Sequence, residues 1–353
     1  MKPRYLCAAV LLLSLSLSAV ADQPRYTLTQ IGPVPVNGIG ITFVTGLIEK
    51  GEIVGTIVGV DAMHPFFWRS GELTLLEGNV GGITAALNDR SQVATTIVNP
   101  TNGIEEAVLW QRGQFSPLGS PSATIVFTPV DITNSGRVLG TTFDPVPSTT
   151  DAYLRERSGD FGLLEPLDDA FAMRPRRINN RGVAVGFSES LVGDRVLVQS
   201  VLWRDGAVQR LSMPPGTNFD VASDINERGQ IVGEAAIGDE ISGFVWHKGK
   251  VTTLPVIDPA LDAGTSAQGI NNRGWIVGIT FGPVRDAVAT LWRNGIAYDL
   301  HTLISPDDPL KPFVRLQHAS FINDSGLIIA NGLDSRTIDG GAGSPYLLTP
   351  TRH

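Results

Sequence analysis

Residues 178–186 read Ile-Asn-Asn-Arg-Gly-Val-Ala-Val-Gly, and the same frame returns as INERGQIVG from Ile225 and INNRGWIVG from Ile270. An Asn three residues ahead of a Gly, set between apolar stretches, has a local reason. The Asn side chain bonds back to the backbone at the start of a type I turn, and the Gly takes a positive φ that a side chain resists. The motif reads as a hairpin turn. Looser copies begin at Leu47, Leu87, Ile132 and Ile322, making seven in all, and their Gly positions (51, 91 where Ser stands, 136, 182, 229, 274 and 326) are 40 to 52 residues apart.

Each of the first six copies is followed by an apolar strand and a tight turn: PFFWRSG, AVLWQRG, AYLRERSG, SVLWRDG, GFVWHKG and ATLWRNG; the seventh has PYLLTP. Five of the six tryptophans (Trp68, Trp110, Trp203, Trp246 and Trp292) share this register. Large aromatics at a repeated strand position serve packing between repeats better than sugar stacking. Asp205-Gly206 and Asn294-Gly295 carry the type I′ hairpin signal. Each repeat therefore holds four short strands in an antiparallel meander, exemplified by VASDIN (a), QIVGEA (b), SGFVWH (c) and KVTTL (d).

A period near 45 residues with four strands per unit predicts an all-β, seven-bladed β-propeller of four-stranded antiparallel blades. The last copy lacks strand d, while Tyr26-Thr27-Leu28-Thr29 resembles a strand d such as YDLHTL from Tyr298. The amino-terminal strand is thus expected to complete the last blade and close the ring, which removes exposed sheet edges. An open β-solenoid, the rival, predicts no such missing and spare strands.

The repeat also resembles that of the secreted bacterial HAF-repeat proteins, whose consensus runs I-N-x-x-G-x-x-V-G, then His-Ala-Phe-Leu-Trp and a Gly turn. The likeness runs through all seven copies, but none keeps the His-Ala-Phe tripeptide. It implies an extracellular repeat domain and brings no catalytic residues with it.

The chain opens with a basic start (Lys2, Arg4), an apolar run from Leu6 and the small-residue pattern Ala19-Val20-Ala21. Residues 1–21 read as a cleaved secretory signal peptide, leaving 22–353 as one domain, secreted to the periplasm or beyond and not inserted in a membrane. The one cysteine, Cys7, leaves with the leader, so the fold depends on a core without disulfides. A formal charge of −8 at pH 7, made more acidic by loss of Lys2 and Arg4, argues against nucleic acid or an anionic membrane as partner.

Strand parity sorts the loops into two sets. The a–b and c–d turns at one end are short, and their arginines (Arg90, Arg181, Arg228 and Arg273) read as a solvated ring. The b–c and d–a loops at the other end are long and differ in every repeat, as in FSESLVGDRVLV from Phe187 and LISPDDPLKPFVRLQH from Leu303. Variable loops on a rigid scaffold are where binding sites arise. The ligand-binding candidates there are His64, Arg285, Asp307, Asp308, Arg315 and His318, and the loops also carry Asp168, Asp169, Asp194, Asp258, Asp262 and Asp334.

No zinc spacing, nucleophile elbow, phosphate loop or dinucleotide fingerprint occurs. No cofactor is expected; calcium is weighed only because hard cations want many oxygens, and residues 334–340, the nearest stretch, fit a calcium loop poorly. The expected function is a monomeric, noncatalytic module binding a glycan, peptide or envelope protein through its loop-bearing face. The alternative is an extracellular polysaccharide-cleaving enzyme, a lyase or glycosidase, with His, Arg and carboxylates on the same face.

Overall fold

A computed structural model describes residues 25–32, 40–59, 63–76, 84–99, 102–237, 240–259, 264–282, 287–336 and 343–351. The expected leader lies outside them. Among the described residues there is no α-helix, and none long and apolar enough to cross a membrane. One repeat illustrates all: β18 (Thr217–Ile225), β19 (Ile231–Ile237), β20 (Glu240–His247) and β21 (Lys250–Thr253) form an antiparallel meander in register Ile225↔Ile231, Ile231↔Trp246 and Trp246↔Val251. At its a–b turn the Gly229 N–H donates to Asn226 O at 3.0 Å, with Gly229 at φ 74°.

Separate four-stranded sheets are expected, and four occur; the strands between Phe127 and Thr253 instead form one twelve-stranded sheet. Two single-residue parallel pairs, Thr150↔Ala172 and Val198↔Phe219, make the joins. The inner strands there are long, with β14 (Ala170–Ile178) and β18 each of nine residues, so their early ends graze the preceding strand c. The amino-terminal strand β1 (Tyr26–Gln30) pairs with the last strand, β28 (Ser344–Pro350), from Tyr26↔Pro350 to Gln30↔Tyr346.

Hydrophobic cores form between repeats, as strands with apolar faces require. Trp203 packs with Leu139 and Ala152 of the repeat before it, and Trp292 with Val232. Trp68 of the first repeat packs with Ile329 and Leu347 of the last. The tryptophan register is therefore core, with Trp203 and Trp292 1% and 2% exposed.

The repeated Asn does more than shape its own turn. In Asn226, Oδ1 accepts from the N–H groups of Arg228 and Gln230 at 3.0 Å, while Nδ2 reaches the next repeat and donates to Asn271 O at 3.0 Å. The same reach links Asn88 to Thr133 O, Asn179 to Asn226 O, Asn271 to Asn323 O and Asn323 to Ile48 O. One residue further on, a second belt runs through the backbone N–H groups of 49, 89, 134, 180, 227, 272 and 324. Each donates to the side chain of the next member, and Asp324 N–H returns to Glu49 Oε1 at 2.7 Å. The Asn-x-x-Gly turn is a stitch between sheets.

The second Gly of the motif answers to a different constraint. Each inner strand slips register just ahead of the turn, as between Ala222 and Asp224 or Pro175 and Arg177, and this bulge presses its backbone onto strand b. A Cβ on Gly233 would stand 1.9 Å from Val221 O. Gly233→Ala is expected to cost about 3 kcal/mol or more, as strain at a close backbone approach does, measured as a lowered urea midpoint.

Candidate functional site

The bulge also decides what faces the axis. Seven inner strands carry it, and the extra, unpaired residue at each is Thr45, Ala85, Val130, Arg176, Ser223, Gln268 or Ser320. Thr45, Val130, Arg176, Ser223, Gln268 and Ser320 line a single cavity of about 710 Å³ together with Arg174, Arg177, Phe187, Glu189 and Glu234. Bulges re-aim side chains, and here they turn the same position of six repeats toward a common space.

Arg177, next to the a–b turn, marks one end of the cavity. Its guanidinium lies over the Phe321 ring at 5.0 Å, a contact between inner strands that are not neighbours, and its Nε is 3.9 Å from Asp224 Oδ1. Asp224 Oδ2 also accepts from Ile270 N–H, and Asp131 Oδ2 from Ile178 N–H, each at 2.8 Å, so both carboxylates hold a neighbouring inner strand. Burial raises Asp131, and it pushes Asp224 up to about 6 against the pull of Arg177. A folded value above the unfolded one means that Asp224 favours the fold most below about pH 4 and loses that contribution as pH rises to about 6.

Toward the other end, Arg174 pairs with Glu189 at 3.3 Å. Arg176, between them, lies over the Phe187 ring at 5.3 Å, and no carboxylate among the described residues hydrogen bonds to it. Burial and the charges of Arg177 and Arg174 lower its pKa, which Glu234 offsets in part. The cavity thus contains a cation stacked on an aromatic face and without a contacting counter-ion, among hydroxyl and amide side chains. Such a set can grip an anion and hydrogen bond to a polar ligand.

The described residues among those expected from the loops fall elsewhere. His64 is half-buried on β4 (Met63–Arg69), opposite Ile57. Arg285 and Asp262 lie outside the described residues. Asp307 is exposed, whereas Asp308 is 5% exposed and accepts from Leu28 N–H at 2.7 Å and Leu310 N–H at 2.8 Å, which ties down β1. Arg315 is exposed on β26 (Val314–Ile322) and lines a separate cavity of about 290 Å³ with Asp299, His301 and Lys311. His318 stands opposite Asn331 with Nε2 buried and unpartnered, and burial lowers its pKa. Among the described residues, none of these candidates lines the axial cavity. The turn arginines Arg90, Arg181, Arg228 and Arg273 are exposed. Among the described residues, no group of three or more His, Cys, Asp or Glu is placed to hold a metal ion.

Asp334, another loop carboxylate, has a structural role: its oxygens accept from Arg336 at 2.5–3.2 Å and from the Tyr346 hydroxyl at 3.2 Å. The Arg336 hydrogen bonds hold its pKa at about 2, below the unfolded value, so its contribution is present above about pH 4 and fades as pH falls toward 2. With Arg336 41% exposed, solvent reduces this to about 1 kcal/mol. Asp334→Asn is expected to narrow the stability gap between pH 5 and pH 2.5, read from urea midpoints at the two values.

No family model matches the chain, and no curated protein does. Solved structures do. The chain is similar in fold to the β-propeller domain of the Trilobed protease from Pyrococcus furiosus (TM-score 0.59, 9% identity, 88% of this chain and 94% of that one). It is also similar to a puromycin-hydrolyzing peptidase of Mycobacterium tuberculosis (TM-score 0.55, 9% identity), covering 93% of this chain but 55% of that one. Virginiamycin B lyase from Staphylococcus aureus is another match (TM-score 0.51, 10% identity, 92% of this chain and 99% of that one). At such identities the likeness establishes fold alone: the protein is all-β and propeller-like.

Proposed function

We propose that this chain is a secreted, HAF-like repeat protein whose seven blades close into a ring, and that it works as a noncatalytic binding module. The seven-step belt that returns from Asp324 to Glu49 supports the blade count, and pairing of β1 with β28 supports closure. The ligand approaches from the end with the long loops and reaches the axial cavity. The observation that carries this reading is the ring of bulged residues, which gives a repeated scaffold one shared, chemically varied pocket including Arg176. Of the two carboxylates among the described wall residues, Glu189 and Glu234, the first is paired with Arg174, which suits a wall that holds a ligand.

The test is a binding and turnover screen of residues 22–353 against envelope and environmental polysaccharides and peptides. The expected result is a ligand that binds unaltered and is lost when Gln268 and Ser320 are both replaced by bulky residues. Release of new reducing ends or unsaturated uronates, or binding indifferent to those replacements, would reverse the reading.

A further inference from the structure

Resting on the axial cavity as the ligand site, we propose that it takes the carboxylate of a uronic-acid residue in an acidic glycan, with Arg176 as the group that grips it. Three arginines come from one strand, but they are not equivalent. Arg174 is engaged by Glu189, and Arg177 by Phe321 and Asp224. Arg176 alone of the three lacks a carboxylate in contact, and its stacking on Phe187 leaves the guanidinium edge for a ligand. A guanidinium edge matches a carboxylate in a two-point hydrogen bond.

The rest of the wall selects for a singly charged polyol. Glu189 and Glu234 line the same space and disfavour a dianion such as a phosphate monoester. Ser223, Gln268 and Ser320, at the matching bulge positions, line the cavity with hydroxyl and amide groups of the kind that pair with sugar hydroxyls. The volume of about 710 Å³ is that of a small-ligand pocket.

The experiment is calorimetric titration of residues 22–353 with trigalacturonate, triglucuronate, their methyl esters and a neutral galactose trimer. At least one acid is expected to bind, roughly tenfold or more tighter than its ester, as a lost charged hydrogen bond implies. Arg176→Gln should weaken the acid by a similar factor with the melting temperature unchanged. Arg176→Lys, which keeps the charge, covers the case in which Gln disturbs the fold, and should recover part of the loss.

The proposal fails if no uronate binds, if esters bind as well as acids, or if neither Arg176 variant changes affinity. It fails equally if peptides with a free terminal carboxylate bind and uronates do not. A neutral glycan that binds in the cavity regardless of Arg176 removes the uronate and leaves the cavity reading standing. Uronate binding indifferent to Gln268 and Ser320 replacement removes both.

Discussion

Deleting residues 22–31 is expected to leave a chain that does not unfold as one cooperative unit. The deletion removes Tyr26, Leu28 and Ile31, which are 0%, 8% and 0% exposed, and strips β28 of one of its two partner strands, from Tyr26↔Pro350 to Gln30↔Tyr346. Burial of three such side chains contributes about 5–9 kcal/mol, comparable with the whole stability of a domain, about 5–15 kcal/mol. It also removes one of the two N–H donors to the buried Asp308 carboxylate, that of Leu28 on Oδ2, and frees the Ser305 N–H that donates to Tyr26 O at 2.8 Å. The check is circular dichroism and urea unfolding of the truncated chain, with and without a peptide of residues 23–32 added in trans. A cooperative transition near that of the parent, with no response to the peptide, would show the strand to be dispensable.

The second large effect is expected at the belt. Asn226→Asp keeps the shape of the side chain but replaces the Nδ2 donor by an oxygen facing Asn271 O, in a residue 4% exposed. At pH 7 the new carboxylate is buried without a cation in contact, which costs about 3–5 kcal/mol. Burial raises the folded pKa of such an Asp above its unfolded value, so the penalty is absent below about pH 4 and grows as pH rises through the folded value. Asn226→Ala should cost about 2 kcal/mol at every pH, because the lost bonds do not titrate. Urea midpoints of both variants at pH 4 and pH 7 make the comparison. An Asp penalty that is the same at both values would mean the Nδ2 contact carries no weight.

Both predictions rest on contacts whose two halves are far apart in the chain, and this marks where reading along the sequence stops. The period, the meander, the positive-φ turns and the spare first strand are all local or counting signals. Ile225-Asn226 through Gly229 announces its own turn, since every group that shapes it lies within four residues. What the Asn does with its second hydrogen-bonding end depends on a carbonyl 45 residues later. No local pattern says that this carbonyl stands alongside. The merging of three meanders into a twelve-stranded sheet is likewise a matter of how closely long inner strands pass their neighbours.

The candidate site follows the same division. Loop length directed attention to Asp308 and Asp334, yet both carboxylates are consumed by backbone N–H groups, Arg336 or Tyr346. Arg176 is not among the loop candidates, because it lies within a repeated strand. A usable signal existed: the position three residues before the turn Asn holds Arg, Ser, Gln and Ser in the last four repeats while its surroundings repeat. Its meaning depends on the bulge, since in an unbroken strand Arg176 and Arg177 would point to opposite faces.

By itself the sequence determined a repeating four-stranded unit, its turns and the strand that completes the last copy, because backbone conformation and side-chain periodicity are set by near neighbours. Tertiary structure alone decided which side chains share the axis and which polar groups are already spent, because register slips and contacts between repeats are cooperative properties of the assembled sheets.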